Sequence, residues 1–182
     1  MKHKKLRALC EGAIMVALAQ VLGYLKISPL PNGGSISFVM LPIFIYCVRW
    51  GLGCGLIASF SLGTLQFLLD GGFSIGWQSI IGDYVLAYGV LGIAGLFRRQ
   101  KFGFFCGTLV GSLARFAVAW VVGATLWAEY MPEEFFGMSM SSPWLYSALY
   151  NGSYILLCAA LCIAVGAIFY KPLGRFLRGE DL

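Results

Sequence analysis

Histidine is almost absent from this chain, and charge of either sign is scarce. The single histidine, His3, lies in a basic N-terminal stretch. That excludes an H-E-x-x-H zinc site and any Ser-His arrangement within the apolar regions. No G-x-x-x-x-G-K-[ST] run occurs, so the chain does not hydrolyse ATP through a P-loop. The cysteines, Cys10, Cys47, Cys54, Cys106, Cys158 and Cys162, contain no C-x-x-C pair. Cys158 and Cys162 share a helical face, but with no histidine nearby no metal site is expected. Most of these thiols stand in apolar runs, where free cysteine behaves as a small hydrophobe. No catalysis, metal or cofactor is indicated.

What is abundant is apolar sequence. Of 182 residues, 59% are hydrophobic and 12% charged, against about 25% charged in soluble domains. A mean hydropathy of +0.82 points the same way. The expected fold is an all-α membrane protein, a single domain over 1–182 with six transmembrane helices. The spans fall at about 8–25, 36–50, 52–69, 79–97, 102–126 and 143–170. The second is short and contains Pro42, so tilting, a kink or a partly re-entrant path is expected. Glycines such as Gly51, Gly53, Gly55 and Gly63 sit within or beside the spans, which suits close helix packing in lipid.

Charge sets the expected orientation. Lys2, Lys4, Lys5 and Arg7 precede the first span, and Arg49 separates the second from the third. Arg98, Arg99 and Lys101 lie between the fourth and fifth, while Lys171, Arg175 and Arg178 follow the sixth. Six crossings put all of these on one side, leaving Lys26, Asp70, Glu129, Glu133 and Glu134 opposite. Both termini are then cytoplasmic by the positive-inside rule, in a multi-pass protein of the cell membrane. The net charge of +5 is a topology signal and not a nucleic-acid footprint. Ala17-Leu18-Ala19 looks like a signal cleavage site, but removing the first span would spoil this pattern.

The run 78–96 is long enough to cross a bilayer yet carries Asp83. A carboxylate at that depth costs several kcal/mol and normally faces a partner or a wet cavity. Tyr84 and Tyr88, four apart, stack on one helical face close behind it. An acid beside aromatic faces suits a flat or cationic ligand. Arg115 is the second charge inside a span. It lies 14 residues after Lys101, as Asp83 lies 15 before Arg98, so both sit about 21–22 Å from the cytoplasmic edge. A salt bridge between them is plausible, and Asp83 could equally serve a ligand, or both at once. Beyond Arg115 come Trp120, Trp127 and Tyr130, then Trp144, Tyr146, Tyr150, Asn151 and Tyr154. Interfacial belts account for several of these aromatics, Tyr130 and Trp144 above all. Asn151, inside the last span, needs partners for its amide.

Arg115-Phe116, Gly123, Trp127, Tyr130, Pro132, Pro143, Tyr146-Ser147 and Tyr150-Asn151 follow a familiar order. So does the run Leu86-Ala87 and Gly92-Ile93-Ala94-Gly95-Leu96. The sequence resembles the substrate-binding S components of energy-coupling-factor vitamin transporters, specifically the thiamine-specific ones, over nearly its whole length. The resemblance implies a six-helix membrane fold binding a vitamin near its outer face. It implies work with a separate membrane-embedded coupling protein (the T component) and two ATPase subunits, and a role that is not enzymatic. Substrate-binding positions carried over are Asp83, Tyr84, Gly123, Trp127, Tyr146 and Asn151. Ala13 and Ala17, at A-x-x-x-A spacing, correspond to the face toward the coupling protein, although packing between the chain's own helices would use the same spacing. Two positions depart from the pattern, which usually has glutamate at Asp83 and histidine at Ala119.

The expected ligand is thiamine, whose thiazolium is a permanent cation suited to Trp and Tyr faces. A related vitamin or thiamine precursor is the nearest alternative. An ion-coupled secondary transporter working through Asp83 is a rival, though no half-to-half repeat of the kind such proteins show is evident. A purely structural membrane subunit is the other.

Overall fold

The computed structural model describes residues 2–27, 30, 34–69 and 74–182. Asp70, one of the acids expected on the outer side, lies outside the described residues. Among them six helices carry the fold: α1 (Lys2–Tyr24), α2 (Met40–Trp50), α3 (Leu52–Leu69), α4 (Trp77–Phe97), α5 (Gly103–Thr125) and α6 (Pro143–Leu177). All but α2 are long and apolar enough to cross a membrane. Large apolar side chains such as Ile57, Leu68 and Ile168 point outward, as a lipid-facing surface requires.

The span expected at 36–50 is helical only from Met40. With 11 residues rising about 1.5 Å each, α2 covers about 16 Å, roughly half of a hydrocarbon core. Pro42 stands in its first turn, where a missing N–H forfeits no helical bond, so it causes no break. Burial runs round this helix, with Met40, Ile43, Phe44 and Cys47 buried on one face and Pro42, Tyr46, Arg49 and Trp50 on the others, the mark of a core element. It packs against α1, α3, α4, α5 and α6. Gly51, at φ +90°, then turns the chain sharply into α3.

Two elements run differently from the sequence expectation. α6 continues through Pro172 to Leu177, beyond the expected end at 170, and its last turn is held by Arg49 donating to the Phe176 carbonyl at 2.7 Å. α4 is not a uniform helix. Its middle, Ile80–Leu86, is π-helical and its second half, Val90–Phe97, is a 3₁₀ helix. α3 and α4 touch backbone to backbone, since a Cβ on Gly92 would lie 2.7 Å from the Leu56 Cα.

One end of the bundle is closed by a charge cluster that the sequence reading leaves unused. Glu11, a further acid within an apolar stretch, accepts from Arg49 Nε and from Trp50 Nε1, both at 2.7 Å. Arg49 also reaches Asp181 Oδ1 at 2.6 Å, and Arg7 bridges Glu11 and Asp181. The C-terminal segment is thereby clasped to α1 and α2. Arg98 donates to the Arg49 carbonyl at 3.1 Å, so the basic groups around 7, 49 and 98 gather at this one end.

Candidate functional site

The opposite end holds the candidate site, and the irregularity of α4 fixes its geometry. α4 and α5 run antiparallel, with Gly111 against the Leu91 carbonyl and Gly82 against Val122. Arg115 lies beside Tyr88, which leaves Asp83, five residues earlier on α4, about 1.4 helical turns farther toward the site end. The 3₁₀ stretch contributes to this offset. Its eight residues rise about 2.0 Å each instead of about 1.5 Å, adding about 4 Å. Equal counting from the loop therefore overestimates how nearly level the two charges are. Asp83 and Arg115 do not pair among the described residues.

Asp83 has other partners. Its Oδ2 accepts from Ser79 Oγ at 2.7 Å and from Trp127 Nε1 at 2.8 Å. Ser79 is one turn before it on α4, and Trp127 follows the end of α5. The second carboxylate oxygen has no hydrogen bond among the described residues, so it keeps acceptor capacity for a ligand donor.

A cavity of about 170 Å³ opens beside this carboxylate, between α3, α4, α5, α6 and the segment 34–39. The structure brings Asp83, Tyr84, Gly123, Trp127, Tyr146 and Asn151 together around it. Tyr84 meets the Phe67 ring edge-on at 5.4 Å, and Trp127 leans on Tyr130 at 5.6 Å. Tyr146, five residues before Asn151 on α6, packs between Phe135 and Tyr150. Phe135 belongs to a small hairpin, β1 (Glu134–Phe135) and β2 (Met138–Ser139). Its turn, Phe136-Gly137, has positive φ at both residues, as a tight two-residue connection demands.

Asn151 is less available than its sequence position implies. Its Nδ2 reaches the Ala119 carbonyl at 3.2 Å and the Ser147 carbonyl at 3.0 Å, and its Oδ1 accepts from Tyr154 Oη at 2.9 Å. It fastens α5 to α6 and leaves only a spare lone pair on Oδ1. Gly123 permits this contact, because a Cβ there would collide with Ser147. The segment 34–39 covers the α6 side. Gly34 N donates to Tyr150 Oη at 2.8 Å, and an Ile27–Ile36 bridge closes the loop behind it.

Ser79, Gln66 and the segment 34–39 were not among the expected site residues. Ser79 is legible as the residue one turn before Asp83, and Gln66 as an amide inside an apolar span. The segment carries no comparable signal. Ala13 and Ala17 lie far from the cavity's polar groups, on the exposed side of α1 with Ile14 and Leu18. The buried side of α1 is formed instead by Val16, Ala19 and Gln20, so packing between the chain's own helices does not use the two alanines.

Long apolar helices around an aromatic cavity that carries one half-buried acid define a membrane protein with a polar, aromatic-lined cavity. The family model described as "Thiamine transporter protein (Thia_YuaJ)" matches residues 9–177, and the chain belongs to that family. It is 29% identical to the thiamine transporter ThiT of Bacillus subtilis, with 98% of each chain covered. It is 26% identical to ThiT of Lacticaseibacillus paracasei, covering 99% of this chain and 94% of that one. Among solved structures, ThiT from Listeria monocytogenes superimposes with a TM-score of 0.84 at 23% identity, over 96% of this chain and 98% of that one. That likeness shows the fold. The multi-pass membrane character follows from the helices and the family together.

Proposed function

We propose that the chain is the substrate-binding S component of an ATP-driven energy-coupling-factor importer, and that its substrate is thiamine. The observation that carries this reading is the Asp83 carboxylate, held by Ser79 and Trp127 at the wall of an aromatic cavity. The free oxygen of Asp83 accepts from the aminopyrimidine amine, while Tyr84, Trp127 and Tyr146 surround the flat rings and the thiazolium. Gly123 keeps α5 and α6 close enough for Asn151 to complete the wall. The names of the relatives support thiamine as the ligand.

The clasp end, rich in Arg and Lys, faces the cytoplasm together with both termini, and the cavity opens toward the outer face. The positive-inside rule supports this orientation. The extended segment 34–39 and α2 together make the second of six crossings in one domain, 1–182. Transport then needs a separate membrane-embedded T component and two ATPase subunits, because the chain has no nucleotide motif. The exposed Ala13 and Ala17 give the T component a smooth seam on α1.

Reconstitution tests the reading. Liposomes containing this chain alone should bind thiamine without accumulating it, and accumulation should appear only with the T component and ATPases plus ATP. Accumulation by the chain alone, driven by ATP or by an ion gradient, would overturn it.

A further inference from the structure

The cavity has a second charged end whose chemistry the thiamine reading does not use. Arg115 lines its inner part and is 8% exposed. Its guanidinium lies 4.1 Å from the centre of the Tyr88 ring. Its Nε is buried with no hydrogen-bond partner, and no carboxylate forms an ion pair with it, among the described residues. The cavity's carboxylate, Asp83, is committed to Ser79, Trp127 and the outer part of the site.

A buried charge without a counter-charge is strongly unfavourable at membrane depth, and a cation–π contact offsets only part of that. The surrounding groups do not supply the missing charge. Gln66 donates to Gln20 at 2.9 Å, and Tyr154 donates to Asn151 at 2.9 Å. A cationic ligand that neutralises Asp83 leaves Arg115 still without a counter-charge. The planar guanidinium of a residue that lines the cavity matches an oxyanion or a halide.

We propose that the inner end of the cavity, at Arg115, is an anion subsite, filled either by a small inorganic anion or by a phosphoryl group carried on the ligand. The ligand-borne source rests on the thiamine reading; the inorganic source does not.

Two arms test this on the purified full chain. In the first, thermal unfolding without vitamin is followed in sodium gluconate, sodium chloride and sodium phosphate at equal ionic strength. If a free anion fills the subsite, chloride or phosphate raises the wild-type Tm by several degrees over gluconate, and Arg115→Gln abolishes the increment. In the second, thiamine and thiamine monophosphate are titrated. If the ligand brings the anion, Arg115→Gln loses at least about tenfold more affinity for the monophosphate than for thiamine. Should Arg115→Gln not fold, the salt series on the wild type stands by itself. Inorganic phosphate should then compete with the monophosphate and spare thiamine. A salt-dependent Tm in a chain that binds no thiamine supports the subsite while removing the thiamine reading. Identical Tm values in all salts, with no separate effect of Arg115→Gln or of inorganic phosphate on the monophosphate, overturn the proposal.

Discussion

The indole Nε1 of Trp127 donates a 2.8 Å hydrogen bond to Asp83 Oδ2 and ties the C-terminal end of α5 to the π-helical turn of α4. The bond uses one oxygen of the carboxylate and leaves the other without a hydrogen bond among the described residues. It also fixes the indole beside the carboxylate at the cavity wall. Asp83 is thus built into the wall without being neutralised by it.

Replacing Asp83 by Asn tests the carboxylate directly. Hydrogen bonds to charged groups are worth about 1.5–3 kcal/mol, so thiamine affinity should fall about ten- to hundredfold. The loss should be smaller for analogues that lack the pyrimidine amine. Because Asp83 does not neutralise Arg115, the variant should not unfold from an orphaned guanidinium. A large drop in Tm with wild-type affinity in the remaining folded protein would remove Asp83 from the site.

Trp127→Phe keeps an aromatic face and deletes the donor to Asp83. A neutral-to-charged hydrogen bond then disappears while ring contact remains. Thiamine affinity should fall by about 1–2 kcal/mol, and the combined Asp83→Asn, Trp127→Phe protein should lose less than the sum of the two. Strict additivity would mean the bond does not position the carboxylate.

Much of this was legible in the sequence, for identifiable reasons. An acid, an asparagine and clustered aromatics inside apolar runs are costly enough to mark a site, and Asp83, Trp127, Tyr146 and Asn151 do meet at one cavity. The depth of Asp83 was not legible, because counting residues assumes a uniform rise and α4 changes helix type three times. The shortness of α2 was hidden because its apolar run continues into 36–39. Glu11, a charge within an apolar run, carries the same signal as Asp83, but it lies close enough to the basic N-terminal stretch to read as part of it. The coverage of the cavity by Gly34 and Ser37 depends on a tertiary path that no local pattern encodes.

On α1, Ala13→Trp or Ala17→Trp should abolish transport in the complete importer and leave thiamine affinity within about twofold. Both alanines are exposed, away from the core-facing Val16 and Ala19, so an added indole blocks only an external helix from approaching. Equal loss of binding and transport would instead mean that these alanines pack inside the fold.

The clasp at the far end predicts a pH dependence. The Asp181 carboxyl is held below the usual carboxylate range chiefly by hydrogen bonds from Arg49, opposed by desolvation and helped by Arg7. A folded-state pKa lower than the unfolded one gives stability that is full above the unfolded value and is lost as pH falls through the folded one. With the unfolded value near 3.9, the contribution should be complete at neutral pH and decline below about pH 4. Asp181→Asn should lower the Tm at pH 7 and flatten its fall in acid, with thiamine affinity at pH 7 unchanged. A variant with the wild-type acid profile would mean that the clasp adds no stability.

On the proposed function, this chain alone forms the thiamine site. Titrating thiamine into the purified full chain in detergent, without other subunits or nucleotide, and following tryptophan fluorescence tests it most directly. Expected is a saturable one-to-one quench that Asp83→Asn shifts to about ten- to hundredfold higher thiamine concentration. No saturable binding, or binding that appears only when ATP and partner subunits are added, would contradict it.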